Sequence, residues 1–424
     1  MIRIIKDTLT SREEIFSVKE ARVDVAEAVR AIIGGVRERG DEALLEYTEK
    51  FDGVRLSSLK VTEEEINEAI SLVEPKFLEI LKNAAKNIRE FHEMQKSSGF
   101  EIKKEGGIIL GQKVMPIERA GLYVPGGTAA YPSTVLMDAI PAKIAGCERV
   151  VMVTPPDKSG RVNPVILAAA SVAGVDEIYK IGGAQAIAAL AYGTESVPKV
   201  YKIVGPGNAF VAEAKRQVFG MVSIDMIAGP SEIMVVADGK NRAKDIATDL
   251  LSQAEHDKMA SAVLVTDSYE FAEAVATAIE EIIPTLERRD IARASIDNNG
   301  KIIVTESLLD AIEVANGIAP EHLEICLDEP FNYLDKIKNA GSVFLGRYCP
   351  EAIGDYYAGA NHTLPTSGTA KFSSPLSVDD FVKRTQYIYY DESALKDACR
   401  EVEFFAKKEG LTAHAKSAVV RFED

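Results

Sequence analysis

"DEIYKIGGAQAIAALAYG", residues 176–193, holds three kinds of chain in eighteen positions. A short run of β-branched and aromatic residues meets the pair Gly182-Gly183, and an alanine-rich stretch of helical composition follows with Gln185 in its first turn. That order reads as strand, tight turn, helix. The same grammar recurs on both sides, in "AGLYVPGG" (120–127), "ERVVMVTPP" (148–156), "KVYKIVGPGNAFVAEAKRQVFG" (199–220) and "SIDMIAGPSEIMVVAD" (223–238). Strands alternating with helical segments imply βα units and a largely parallel sheet.

A second α/β stretch follows, through "SAVLVTDS" (261–268), "KIIVTESLLDAIEVANGIAPEHLEI" (301–325) and "AGSVFLGRY" (340–348). Upstream, residues 1 to about 115 read as mostly helical, with apolar positions at helical spacing in 17–53 and 62–96. His92 lies there among charged residues and reads as a surface or packing residue. The tail from about residue 374 reads as helical and highly charged, with too few apolar residues to fold alone.

Composition narrows the function. The formal net charge of -16 argues against nucleic acid or an anionic membrane as main partner. No apolar run reaches the ~18 residues of a membrane helix, and the first residues lack the pattern of a secretion signal, so a cytoplasmic location is expected. Cys147, Cys326, Cys349 and Cys399 are scattered and read as free thiols.

Three glycine turns, Gly126-Gly127, Gly182-Gly183 and Gly205-Pro206-Gly207, fall at expected strand ends, where open α/β sheets bind ligands. Glycine lets a backbone approach a pyrophosphate closely. None matches the full dinucleotide fingerprint, so plain tight turns and a nucleotide site both remain open.

The chain has five histidines. In "LLSQAEHDKMA" (250–260), Gln253 lies three positions before His256, so a helix would aim both side chains to one side and Glu255 elsewhere. His362 follows Asp355 by seven residues, His322 follows Glu321 directly, and His414 lies near the end of the tail. Gln oxygen, His nitrogen, Asp oxygen and a second His nitrogen would make a sensible zinc site, and a neutral Gln leaves the metal more electrophilic than a third carboxylate would. The spacing matches no recognised zinc signature.

Longer motifs carry a resemblance. "GLYVPGGTAAYPSTVLMDAIPAKIAG" (121–146), "KIGGAQAIAALAYGT" (180–194), "VGPGNAFV" (204–211), "DMIAGPSEIMVVAD" (225–238), "DLLSQAEHD" (249–257), "APEHLEI" (319–325), the whole of 341–384 and "GLTAHAKSAV" (410–419) closely resemble the histidinol dehydrogenase family, in order and from about residue 20 to 420. Cys349 stands where relatives often carry a small hydroxyl residue.

The resemblance implies an α/β fold of two Rossmann-like parallel-sheet domains, a helical N-terminal region and a helical tail reaching a partner subunit. The expected division is an N-terminal segment 1–20, a first α/β domain of 21–120 with 233–373, a second of 121–232 on the NAD side, and the tail 374–424. It also implies oxidation of L-histidinol to L-histidine through L-histidinal, the last two steps of histidine biosynthesis, with two NAD⁺ and one Zn²⁺ per site in a homodimer with shared sites. Carried over residue by residue, the zinc ligands are Gln253, His256, Asp355 and His414. Glu321 and His322 are the acid–base pair, on a helix where neighbours diverge by roughly 100°. Ser231, His362 and Glu409 contact substrate together with the ligands and the acid–base pair, and Tyr123, Gln185 and Asn208 contact NAD.

Two other readings compete. A zinc-dependent hydrolase of a small nitrogenous metabolite would use similar groups, and NADH formed on adding histidinol separates it from a dehydrogenase. A silent, metabolite-binding relative is disfavoured by the intact Glu321, His322 and ligand positions.

Overall fold

The computed structural model describes residues 2–8, 11–16, 24–126 and 130–423. One parallel sheet runs from edge to edge as Glu177–Lys180, Arg149–Thr154, Arg119–Tyr123, Lys202–Val204 and Ser223–Ile224. The chain starts in the middle, steps outward to one edge, then returns and builds the other side. The crevice of such a sheet opens where the direction reverses, here beyond the carboxyl ends of Arg119–Tyr123 and Lys202–Val204.

Both faces of this sheet are buried, with the period of two that a strand dictates. Leu122, Val150 and Met152 meet helices Pro132–Ala145 and Pro164–Ala173, while Val151, Val153 and Tyr179 meet Gly183–Tyr192 and Ala209–Val218. Helix Gly183–Tyr192 is buried from Ala184 to Ala191, so it needs a further layer outside it. Ala26–Arg39 and Asp41–Asp52 supply that layer through Val29, Ile33 and Leu44. On the other face, Glu63–Leu72 and Pro75–Glu93 cover the remaining pair. The buried faces of residues 25–93 lie against the sheet of 119–224.

The second sheet repeats the first one's order with one strand added at an edge: Arg3–Lys6, Lys301–Val304, Ser261–Thr266, Glu232–Ala237, His322–Cys326 and Ser342–Leu345, all parallel. Arg3–Lys6 forms one edge of this sheet, paired in parallel with Lys301–Val304. At its carboxyl edge, where the reversal falls, Arg347 fills the opening. Its guanidinium binds both carboxylate oxygens of Asp238 at 2.9 and 3.0 Å, Asp328 at 3.0 Å and the Cys326 carbonyl at 2.9 Å.

A small antiparallel sheet joins Phe100–Lys104, Ile108–Pro116 and Val382–Tyr390. The tail is thus not helical throughout. A nine-residue strand precedes helices Glu392–Lys408 and Thr412–Val419. Those helices share only a small cluster of Cys399, Ala418 and Val419, and leave Phe404, Phe405 and Ile388 exposed. Among the described residues, no helix is long and apolar enough to cross a membrane. All four cysteines are free.

Candidate active site

The carboxyl end of Ser223–Ile224 leads through residues 225–231 to the amino end of Glu232–Ala237, so the open edge of the first sheet is chained to the amino edge of the second. At that amino edge sit Glu321 and His322. Helix Leu308–Ile318 ends at Ala319, whose φ of 56° turns the chain into Pro320. His322 then begins a strand, paired with Ile233 and Ser342. The pair lies at a strand entry and not on a helix, as first expected.

Both side chains fasten onto Glu232. Glu321 Oε2 accepts the Glu232 N–H at 2.8 Å, and His322 Nδ1 lies 2.9 Å from the Glu232 carbonyl oxygen. A carbonyl only accepts, so Nδ1 carries the proton and Nε2 is left as the acceptor. Among the described residues, that buried Nε2 has no hydrogen-bond partner. Burial lowers the His322 pKa, which keeps the ring neutral. Burial also raises Glu321 well above the ordinary carboxyl range, and the charges of Glu232, Asp355 and Glu351 add to that.

Opposite His322, residues Gly354–Ala358 form a single π turn, a distortion frequent at functional sites. It carries Asp355, whose Oδ1 stands 3.9 Å from His322 Nε2 and 3.6 Å from His362 Nδ1. Burial alone would raise the Asp355 pKa, but the hydrogen bond and charge of His362 bring it far below its usual value. His362 responds in kind: burial pushes it down, Asp355 more than offsets this, and its pKa ends raised. Glu351 Oε1, 3.9 Å from His322 Nε2, is buried and among the described residues has no hydrogen-bond partner. Burial and then the Asp355 charge push its pKa up to about 9. Sequence reading missed Glu351. The only signal was its place four residues before Asp355.

Among the described residues, His322, Glu351 and Asp355 present ligand atoms within 4.8 Å of one another. Gln253 occupies the last turn of helix Ala243–Ala254, fully buried beside Glu351, and among the described residues neither amide atom has a partner at hydrogen-bond geometry. His256 lies beyond that helix, in a turn where its N–H reaches the Gln253 carbonyl at 3.0 Å. A turn, not one helix face, presents the two. Burial lowers the His256 pKa against the opposing charge of Asp355, so both ring and carboxylate are in the form that binds a cation. Unpaired buried polar atoms are costly. The Gln253 amide, His322 Nε2 and Glu351 Oε1 are what a site for a cation and a polar substrate would leave open.

A cavity of about 140 Å³ is lined by His322, Phe344, Cys349, Asp355, Asn361 and His362, whereas Gln253, His256 and Glu351 do not line it. Ser231 directly precedes strand Glu232–Ala237. Glu409 and His414 are exposed on the tail, and among the described residues neither makes a hydrogen bond or ion pair with this cluster.

Tyr123, Gln185 and Asn208 all stand at the carboxyl edge of the first sheet. Tyr123 OH accepts the Gly183 N–H at 3.1 Å, and burial pushes its pKa up to about 12. Gln185 is buried in the first turn of Gly183–Tyr192, and Asn208 caps Ala209–Val218 by accepting the Phe210 and Val211 N–H groups. Gly205 has φ of 112°, and a Cβ there would meet the Tyr123 carbonyl oxygen at 2.1 Å, so only glycine lets the two strand ends approach. Gly126 is described, whereas its neighbour Gly127 lies outside the described residues.

A family model for histidinol dehydrogenase matches residues 17–422. A relative named histidinol dehydrogenase from Clostridium acetobutylicum is 55% identical over 428 residues, covering 100% of this chain and 99% of its own. One from Bacillus cereus is 58% identical over 400 residues, covering 94% and 93%. A crystal structure of histidinol dehydrogenase from Elizabethkingia anophelis matches with a TM-score of 0.95 at 37% identity, over 100% of this chain and 98% of that one. Continuous similarity at this level, over nearly the whole chain and its fold, means that the chain belongs to the histidinol dehydrogenase family of oxidoreductases.

Proposed function

We propose that this protein oxidises L-histidinol to L-histidine through L-histidinal, using two NAD⁺ in succession and one Zn²⁺ per site, as a cytoplasmic homodimer. The observation that carries this reading is the state of His322. Its Nδ1–H is pinned to the Glu232 carbonyl, so a neutral, buried Nε2 faces the cavity as a base. His322 takes the hydroxyl proton as hydride leaves the carbinol carbon for the nicotinamide, which gives aldehyde, NADH and one proton. Water must then add to the aldehyde, because a second hydride can leave only from a hydrated carbon. Glu321, held beside His322 through the Glu232 N–H, is the base for that water.

Gln253, His256 and Asp355 would hold the zinc, with His414 supplied from the tail of the second copy. When bound, the ion fixes the amine and imidazole of the substrate as a template. Ser231, His362 and the partner's Glu409 orient the rest of the molecule. Tyr123, Gln185 and Asn208 mark the NAD edge, where the reversal of strand order opens a crevice.

The test is stoichiometry. Each histidinol consumed should yield two NADH, and a chelator should abolish both. One NADH per histidinol would overturn the double oxidation, and none would overturn the reading altogether.

A further inference from the structure

Of the two histidines that line the cavity, His322 begins a strand, whereas His362 lies on an irregular segment, outside any strand or α-helix. Something must hold it. The residues on either side of it are buried and fully engaged. The Asn361 side chain reaches over His362 and accepts the Thr363 N–H at 2.9 Å, a turn with His362 at its centre. Asn361 Nδ2 donates to the Met137 carbonyl at 2.7 Å and faces His92 Nε2 at 3.2 Å. Thr363 Oγ1 donates to Asp138 Oδ1 at 2.8 Å.

His92 sits in the last turn of Pro75–Glu93, with none of its surface exposed. Its Nδ1 lies 2.8 Å from the Ile88 carbonyl. With the proton on Nδ1, donated to that carbonyl, Nε2 accepts from Asn361, and the Leu376 backbone also faces the ring. The Asn361 amide is thereby locked, because flipping it would set its oxygen against Nε2 and the Met137 carbonyl. Burial lowers the His92 pKa, in keeping with a neutral ring.

We infer that His92 is a positioning residue for His362: its Nε2 orients the Asn361 amide, and that amide shapes the turn which points the His362 ring into the cavity. His92 itself does not line the cavity. The consequence for substrate binding rests on the proposed function, but the consequence for the His362 ring does not.

The experiment compares His92→Leu, His92→Gln and Asn361→Ala. Leucine keeps apolar bulk without an acceptor, glutamine keeps an acceptor near the position of Nε2, and Asn361→Ala removes the amide while leaving His92 packed. With five histidines in the chain, imidazole ¹H–¹⁵N spectra are simple, and His362→Gln assigns the His362 signal by its loss. His92→Leu and Asn361→Ala should move the His362 resonance and raise KM for histidinol by about ten-fold or more, with a smaller loss in kcat. His92→Gln should return both towards wild type. A His362 resonance and KM unchanged in His92→Leu, however far its melting temperature falls, would overturn the inference. Should His92→Leu not fold, unchanged values in Asn361→Ala, or a folded His92→Gln that fails to restore them, overturn it equally. A wild-type protein that forms no NADH from histidinol defeats the functional reading instead, and the resonance still decides this one.

Discussion

Glu321 and His322, adjacent in sequence, grip the same residue from two sides: one takes the N–H of Glu232 at 2.8 Å, the other binds its carbonyl oxygen at 2.9 Å. The two side chains converge, with His322 Nδ1 3.6 Å from Glu321 Oε2, so the backbone of Glu232 sets both orientations at once. This separates their tasks. On the proposed chemistry the ring keeps its outer nitrogen for the substrate hydroxyl, and the carboxyl keeps its second oxygen for water.

Glu321→Gln should therefore impair the second oxidation more than the first. An amide keeps the shape and can still accept the Glu232 N–H, but it cannot take a proton from water. Assayed from histidinal, the variant should lose about 10²–10⁴-fold. Assayed for the first hydride from histidinol, it should remain within about ten-fold of wild type. Equal losses in the two half-reactions would count against separate roles.

Metal removal should abolish activity and leave the fold in place. Gln253, His256 and Asp355 come from separate elements, and large cores on both sheets exist without them. This differs from small domains that fold only around zinc. After dialysis against chelator, far-UV circular dichroism should be nearly unchanged while NADH formation is lost. Global unfolding would refute the prediction.

Asp138→Asn should stabilise the protein at alkaline pH. Burial, followed by the charge of Asp225, pushes the Asp138 pKa from 3.8 up to about 7. A carboxyl raised on folding binds its proton more tightly in the native state, so its contribution is full below about 3.8 and is lost as pH rises to about 7. At about 1.4 kcal/mol per unit, the window allows an effect of up to roughly 4 kcal/mol. Asparagine removes this cost and can still accept from Thr363. Its melting temperature should exceed that of wild type at pH 8, with the gap closing towards pH 5. A constant gap across that range would be the contrary result.

The tail should act on a second copy. Glu409 and His414 are exposed, the tail helices share only a small cluster, and Phe404 and Phe405 stand uncovered beside them. Exchange of identical elements is a low-cost route to a dimer. Inactive His256→Ala subunits mixed with inactive His414→Ala subunits should regain roughly a quarter of wild-type activity, since about half of the dimers are mixed and each then has one intact site. No recovery, with subunit exchange confirmed, would place the tail on its own subunit.

Much of this architecture was legible because its signals are local. A β-branched run, a glycine turn and an alanine-rich helix are neighbours in 176–193, and the structure has Glu177–Lys180 and Gly183–Tyr192 there. Partnership is not local. Helical spacing in 26–93 tells which face is buried but not that the sheet of 119–224 receives it. The strand Arg3–Lys6 pairs with Lys301–Val304 at the other end of the chain, too short and too distant to announce itself. Val382–Tyr390 escaped for another reason: most of its residues are exposed, so it shows no alternation of apolar and polar faces. Within the site, His322 stood out as a rare residue type in a compact motif. Glu351 is one of many acidic residues, and only burial beside Asp355 distinguishes it.

Arg347, locked onto Asp238, Asp328 and the Cys326 carbonyl, stops up the opening where the second sheet would otherwise receive a nucleotide. On the proposed chemistry the molecule is left with a single doorway for two successive coenzymes. The first reduced dinucleotide must depart and a fresh one arrive between the two oxidations, and throughout that exchange a reactive aldehyde waits inside. The wall that holds it, at the amino edge of the second sheet, shares no strand with the wall that opens. Containment and traffic are thus assigned to different halves of the chain, and the aldehyde should stay out of reach of a carbonyl scavenger added to the medium.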